Sequence, residues 1–333
     1  MSFLKLIGCV FLCAAAGMTT GCAAKTEGVS AETQGKEAGL EQVTEPGEDE
    51  QKVSLIVDEK EIIIPDISGE YKIVFANDQH IIVPDGAYAE ENNEVVQQRY
   101  DLFCDSQGMR SGDTWPTMVQ QINQLEPDGV VLDGDMIDFY SDANMECLMK
   151  EVKNINYPTM YIRADHDLAV WYSDGMKKKE SNQKHKDAWE MEDIMLQDYE
   201  EFMLVGINNN TSQLSEKALK SLKEIWKTGK PVILAMHVPL KSQISDELSI
   251  ASKEVWQDRA LLWGEGCYYE PTENTQQFLD MVYAEDSPVV AVIAAHLHFP
   301  FEDQLNENIR QIVFDASYKG MVGLVTVKGD YQE

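Results

Sequence analysis

Five short apolar runs in this chain each stop on Asp, His or both. Residues 71–76 lead into Asn77-Asp78-Gln79-His80, and residues 129–132 into Asp133-Gly134-Asp135-Met136-Ile137-Asp138. Residues 159–162 lead into Arg163-Ala164-Asp165-His166-Asp167, residues 232–235 into Met236-His237, and residues 289–294 into Ala295-His296-Leu297-His298. Short, nearly continuous apolar runs are the pattern of strands buried on both faces. Helical patterns lie between them, from Trp115-Pro116 onward and over residues 144–155, 216–226 and 272–283, with Pro116 placed in a first turn. Residues 53–57 and 61–64 read as a hairpin turning at 58–60, and residues 311–314 and 322–327 as closing strands. Strands alternating with helices predict an α/β fold with a largely buried sheet. In such sheets ligands bind beyond the carboxyl ends of the strands, and five of the six His stand there.

The donors at these ends are Asp78, His80, Asp135, Asp165, His237, His296 and His298. If the strand pattern continues through them, the i and i+2 residues of Asp78/His80 and of His296/His298 face one place. Seven oxygen and imidazole donors exceed one tetrahedral zinc and suit two divalent cations sharing a carboxylate. Such donors suit Mn, Fe or Zn. A serine nucleophile motif, a Gly-rich phosphate loop and a dinucleotide fingerprint are all missing, so serine hydrolase, kinase and dehydrogenase chemistry have no residues to rest on.

The blocks Asp78-x-His80, Gly134-Asp135-x-x-Asp138, Ala164-Asp165-His166-Asp167, a single His237 and Ala295-His296-x-His298 stand in one order. Together they resemble the calcineurin-like metallophosphoesterase superfamily. The resemblance implies two mixed β-sheets packed as a sandwich and flanked by helices, and hydrolysis of a phosphomonoester or phosphodiester by a hydroxide bridging two metals. It implies that Asp78, His80 and His298 hold one metal and His237, His296 and Asp165 the other, with Asp135 bridging. His166 would face the scissile phosphate as transition-state stabiliser or leaving-group acid, oriented by Asp167, and Asp138 would support the ligands from behind. Asp165 stands where the family has Asn, and Ala164 and Ala295 where it has Gly. Three carboxylates against two divalent cations leave a formal +1 where an Asn would leave +2, which favours a singly charged diester over a dianionic monoester. The same departure keeps open an alternative, a surface lipoprotein that binds metal or phosphate without turnover.

The chain begins with Lys5, an apolar stretch over residues 6–17, and then Thr19-Thr20-Gly21-Cys22. This reads as a signal peptide over residues 1–21 of lipoprotein type, with Cys22 as the lipidated residue. An ordinary cleaved signal is the other reading, and both export the protein. Residues 23–50 carry eight acidic residues, two Lys and no aromatic, so residues 22–52 read as a disordered acidic spacer. The expected location is the outer face of a bacterial cell membrane, with the folded domain over residues 53–333 and an insertion or cap around residues 240–271. With 58 acidic against 27 basic residues the formal charge is −31, which excludes nucleic-acid binding by a general basic surface. Cys104, Cys147 and Cys267 lack the spacing of a disulfide framework or a zinc knuckle.

Two further segments carry candidate residues. The basic residues 176–187 read as a solvated loop, or as a rim that attracts anions, with His185 not a ligand. Within residues 255–269, Trp256, Trp263, Tyr268 and Tyr269 line a leaving-group pocket in which Arg259 grips a phosphate, or they form the apolar core of the cap.

Overall fold

The computed structural model describes residues 55–330, apart from 85–87, 89, 174, 190–191, 209–212, 258–261 and 264–270. The strands are β1 (Ile56–Ile63), β2 (Glu70–Ala76), β3 (Gly129–Asp133), β4 (Thr159–Ile162), β5 (Ile194–Asp198), β6 (Met203–Ile207), β7 (Val232–Met236), β8 (Val289–Ala294), β9 (Phe301–Gln304), β10 (Arg310–Val313) and β11 (Met321–Lys328). They form two mixed sheets, in the orders β1-β11-β2-β3-β4 and β5-β6-β7-β8-β10-β9. The helices are α1 (Asn93–Leu102), α2 (Ser111–Gln124), α3 (Asp142–Val152), α4 (Asp165–Leu168), α5 (Lys178–Ala188), α6 (Glu216–Trp226), α7 (Glu247–Trp256) and α8 (Glu273–Tyr283).

Strand alternation builds the sandwich. Phe75, Val131 and Ile162 from the first sheet meet Ile233, Ile293 and Phe314 from the second in one buried layer. The opposite faces take helices. Val74, Val130 and Leu132 pack on Trp115, Val119 and Leu148 of α2 and α3, and Val205, Leu234 and Val292 pack on Leu219, Leu222 and Phe278 of α6 and α8. Each such side chain contributes about 1.5–3 kcal/mol when fully buried. Hydroxyl caps start three of these helices: Ser141 accepts from Asn144 N, Ser215 from Ala218 N and Thr272 from Thr275 N. The architecture is the sandwich of two mixed sheets flanked by helices that the resemblance implied.

Three local expectations need correction. The expected turn at 58–60 does not form: β1 runs straight through it as one strand, paired in parallel from Ile56 opposite Met321 to Ile63 opposite Lys328. Its charged centre read as a turn, but on an edge strand charge is accommodated, and Lys60 bridges Asp58 and Glu302 at 3.0 Å each. Helix α2 begins at Ser111, so Pro116 lies in its second turn, and the Sγ of Cys147 approaches the Gly112 carbonyl that a helical N–H would have used. The Lys-rich segment is helix α5 rather than a loop. Ser181 and His185, four residues apart, are its buried anchors, Ser181 Oγ donating to Leu168 O and His185 lying against the Tyr161 ring. Polar anchors leave no apolar period to read.

Candidate metal centre

The loops after β2 and β3 continue the parallel pairing of their strands. Asp78 N donates to Gly134 O, His80 N to Asp135 O and Ile81 N to Met136 O, all at 2.9–3.0 Å. The ligands do not converge by strand alternation, however. Asp78, His80, Asp135, His296 and His298 all have positive φ, between 46° and 71°. Left-handed backbone at non-glycine residues costs free energy and persists where the surroundings impose it. Here each turn bends the chain across the strand end, so that both donors of Asp78-x-His80 and of His296-x-His298 point the same way. Ala164, by contrast, has φ −113°, open to any side chain.

Gly134 has φ +78°, and a Cβ there would lie 2.6 Å from His237 Nδ1 and 2.8 Å from Ala164 Cβ. The bare glycine lets His237 reach the centre from the second sheet. His237 Nδ1–H donates to Asp133 O at 2.6 Å, which turns Nε2 inward to within 3.2 Å of Asp135 Oδ2. On the other side, His80 Nδ1–H donates to Asp138 Oδ1 at 3.0 Å, and its Nε2 is 3.1 Å from His298 Nε2.

The seven expected donors form interlocking groups. Asp78, His80 and His298 bring their ligand atoms together, as do Asp135, His237 and His296, and as do Asp135, Asp165 and His166. Asp135 is common to the last two, and its Oδ2 also lies 4.0 Å from His80 Nε2 in the first. Asp78 Oδ2 accepts from Asn77 Nδ2 and His296 N, while Oδ1, fully buried, accepts no hydrogen bond. That oxygen lies 3.2 Å from His298 Nε2, 3.7 Å from His237 Nε2 and 3.9 Å from His80 Nε2. A buried carboxylate oxygen without a donor, ringed by imidazole nitrogens whose far sides are mostly tied elsewhere, fits divalent cations.

The electrostatics agree. Burial pushes Asp78 and Asp135 upward, but the neighbouring imidazoles (His298 and His237 at Asp78, His166 and His237 at Asp135) hold both well below the usual carboxylate range. Burial lowers His80 to about 4, and burial with His237 lowers His296 to about 4, so both are neutral and available as ligands. Burial works against charge on His237 too, but Asp135 and Asp78 outweigh it and draw a proton to the position a cation would take.

The expected role of Asp167 is corrected. Its carboxylate accepts from the backbone N–H groups of Asp135, Met136, Ile137 and Ala164 and from Tyr161 Oη. It therefore locks the Asp135 loop against the Asp165 loop rather than orienting His166. His166 is set by its Nδ1–H, which donates to Asp138 O at 2.7 Å, and by its N–H, which donates to Asp135 Oδ1 at 3.1 Å. Asp138 supports both His80 and His166, and is itself gripped by Arg99 Nε and Nη2 at 2.5 Å each.

Arg99 was missed by the sequence reading. Its helix α1 buries one apolar residue, Val96, and so has little periodicity. Phe103, stacked on His80 at 4.3 Å, and Trp171, edge-on to His166 at 4.9 Å, were missed as well. Trp263 does not line a leaving-group pocket. It is buried in the helix layer of the second sheet, its ring 5.4 Å from Phe278, and its backbone pairs with Pro239 and Lys241. Arg259, Tyr268 and Tyr269 lie outside the described residues, as do Cys22 and the acidic spacer. Trp256 stands edge-on to His298 at 5.5 Å and donates to Leu297 O. His185 is buried beside Tyr161, away from the metal donors.

A sandwich of two mixed sheets with carboxylates and imidazoles gathered at its strand ends defines a dinuclear-metal hydrolase. The chain belongs to the calcineurin-like phosphoesterase family, whose family model matches residues 71–300. It is accordingly a metal-dependent phosphoesterase with two divalent metal ions as cofactors. In shape it is similar to a dimetal phosphatase of Danio rerio, at 12% identity and TM-score 0.47, over 75% of this chain and 88% of that one. It is also similar to the TT1561 protein of Thermus thermophilus, at 10% identity and TM-score 0.44, over 75% and 91% of the two chains. A purple acid phosphatase from yellow lupin seeds aligns at 15% identity and TM-score 0.45, over 78% of this chain and 45% of that one. No curated protein matches the chain in sequence.

Proposed function

We propose that this phosphoesterase acts outside the cytoplasm, tethered through lipid on Cys22, and prefers phosphodiesters to phosphomonoesters. The observation that carries the hydrolytic centre is Asp78 Oδ1, buried without a donor among three imidazole nitrogens. Asp78, His80 and His298 would hold one cation and His237, His296 and Asp165 the other, with Asp135 between them. The cations, when bound, supply positive charge to the phosphoryl oxygens and acidify the attacking water. The remaining work falls to the protein. Asp138 and Asp133 O fix the tautomers of His80 and His237, so that their Nε2 atoms face inward. Burial opposes charge on His166, yet Asp135 and Asp138 raise it to about 10, so it carries a proton in the neutral range. With Nδ1 committed to Asp138 O, Nε2 is the atom that gives its proton to the departing oxygen.

The diester preference rests on Asp165, whose charge opposes a dianion more than a monoanion. The location rests on residues 1–22, and the reach of the acidic spacer, on the order of 30 Å, suits a domain held off a surface.

The test is hydrolysis of a phosphomonoester and a phosphodiester chromogen by the purified protein, stripped of metal and then supplied with Mn or Zn. Turnover restored by metal and absent in His296→Ala supports the centre; turnover indifferent to both sinks it. Asp165→Asn should raise monoester relative to diester turnover, and an unchanged ratio removes the diester argument. Loss of membrane association in Cys22→Ser tests the anchor, and a variant still pelleting with membranes refutes it.

A further inference from the structure

Eight large hydrophobic side chains stand out as exposed among the described residues, and seven are aliphatic. The eighth is Trp171, 52% exposed, and it stands beside His166. An indole left half in water forgoes burial that its size would reward, so its placement beside a reacting group calls for a reason. Its ring centroid is 4.9 Å from that of His166, the planes 87° apart. The imidazole and the Tyr172 ring, 6.5 Å away, cover part of the indole, and about half of it stays exposed.

The position is built rather than incidental. Trp171 sits in a short loop fastened on both sides to one residue: Tyr140 N donates to Ala169 O, and Ser173 Oγ donates to Tyr140 O. Tyr172, next in the chain, has its ring 6.5 Å from the indole and packs edge-on against buried Phe139 at 5.4 Å. The loop therefore has its own apolar anchor and does not need Trp171 outside to hold it. Nδ1 of His166 is committed to Asp138 O, which leaves Nε2 free for a ligand, and Trp171 lies against the same ring. A group carried by a phosphoester bound at the donors would then lie beside the indole.

We propose that Trp171 is a stacking platform for the leaving group, and that the substrate is a phosphoester whose departing alcohol carries a planar aromatic ring. The proposal rests on the reading of the donors around Asp135 as the hydrolytic centre, which puts the indole beside the reacting phosphoester. Aryl esters and nucleotides share this chemistry, differing in whether a sugar separates the ring from the scissile oxygen.

Binding tests it without turnover. Isothermal titration of the metal-loaded protein with phenylphosphonate and with methylphosphonate should show tighter binding of the phenyl compound, by about 5-fold. Trp171→Ala should abolish that preference and Trp171→Phe should keep most of it. Equal affinities in the unaltered protein, or a preference that survives in Trp171→Ala, overturns the proposal. Kinetics then separates the sources. The ratios of kcat/KM for phenyl phosphate and for a nucleoside 5′-monophosphate over glycerol 2-phosphate should each be compared before and after Trp171→Ala. A ratio that falls about 5-fold identifies the ring as directly attached or sugar-borne. If choline phosphate is the ester whose ratio collapses, the platform serves a cation and the aromatic assignment is wrong. A phenyl preference in binding with neither these monoesters nor a phosphodiester chromogen turned over would defeat the hydrolytic reading and leave the platform standing.

Discussion

The two ends of the same strands use carboxylates in opposite ways. At the amino-terminal ends, Glu201 in the β5–β6 turn accepts from Ser68 N, Ser68 Oγ, Gly69 N and Tyr71 Oη at 2.6–3.0 Å. It ties the start of β2 to the start of β6, and both its oxygens are satisfied by protein. At the carboxyl-terminal ends, Asp78 also links the sheets, through His296 N, yet keeps one buried oxygen with no donor. A fully satisfied carboxylate stabilises; one left incomplete in a dry site costs stability unless something else completes it. Set among three imidazole nitrogens, the incomplete oxygen marks Asp78 as a metal ligand, and the completed Glu201 is a structural tie.

Asp78→Asn should break the contrast most sharply. Asn keeps the shape and an acceptor but not the charge, so turnover should fall about 1,000-fold, the loss expected when about 4 kcal/mol of electrostatic stabilisation goes. Activity within tenfold of the parent would show that Asp78 is a structural tie after all. Gly134→Ala should come next. Its Cβ would press on His237 Nδ1 in a backbone conformation that disfavours it, costing about 1–3 kcal/mol of stability. Calorimetric titration should then show metal binding reduced as far as in His237→Ala, and tight retention of both metals would refute the close approach.

How much of this was legible follows from the kind of signal each part leaves. Asp78, Asp135, His237 and His296 end apolar runs, so they could be placed at the sheet's carboxyl edge from the strand pattern alone. The means of their convergence could not, because left-handed backbone at Asp78 or His298 leaves no trace in residue type. Asp167 and Asp138 were placed near the site, but only the hydrogen bonds distinguish the residue that locks the loops from the one that positions His166. The two tryptophans make the same point. Trp263 and Trp171 carry identical chemistry, and the first is buried against Phe278 while the second stands exposed at His166. Neither lies in a periodic segment that would have told them apart. In β1 the charged residues that suggested a turn are compatible with an edge strand, where pairing depends on β11, 265 positions away for Ile56 and Met321.

Arg99 extends the comparison to a third carboxylate, Asp138, which is buried like Asp78 but completed like Glu201. Burial would push Asp138 upward; the Arg99 guanidinium beside it holds it well below its usual range. Arg99→Met should lower stability by about 3 kcal/mol by leaving that charge short of its partner. It should also reduce turnover by about 10- to 100-fold, because Asp138 then holds His80 and His166 less firmly. Arg99→Lys should recover more stability than turnover, since a point charge replaces a planar fork. Equal recovery of both would reduce Arg99 to a source of charge.

The smallest effect belongs to Glu201, and acid erases it. Donors from Ser68, then Tyr71 and Gly69, lower its carboxyl from 4.5 to about 2 in the folded protein. A folded-state value below the unfolded one means that Glu201 contributes its full stability above pH 4.5 and loses it as pH falls toward 2. Glu201→Gln should therefore melt a few degrees lower than the parent at pH 7, and the gap should close on acidification through that window. Turnover at pH 7 should stay within twofold, because nothing in this cluster touches the metal donors. A gap that persists unchanged at low pH would show that the tie depends on shape rather than charge. A loss of turnover would show that the two ends of the strands are coupled through the sheets, and the division between structural and metal-binding carboxylates would no longer follow from position.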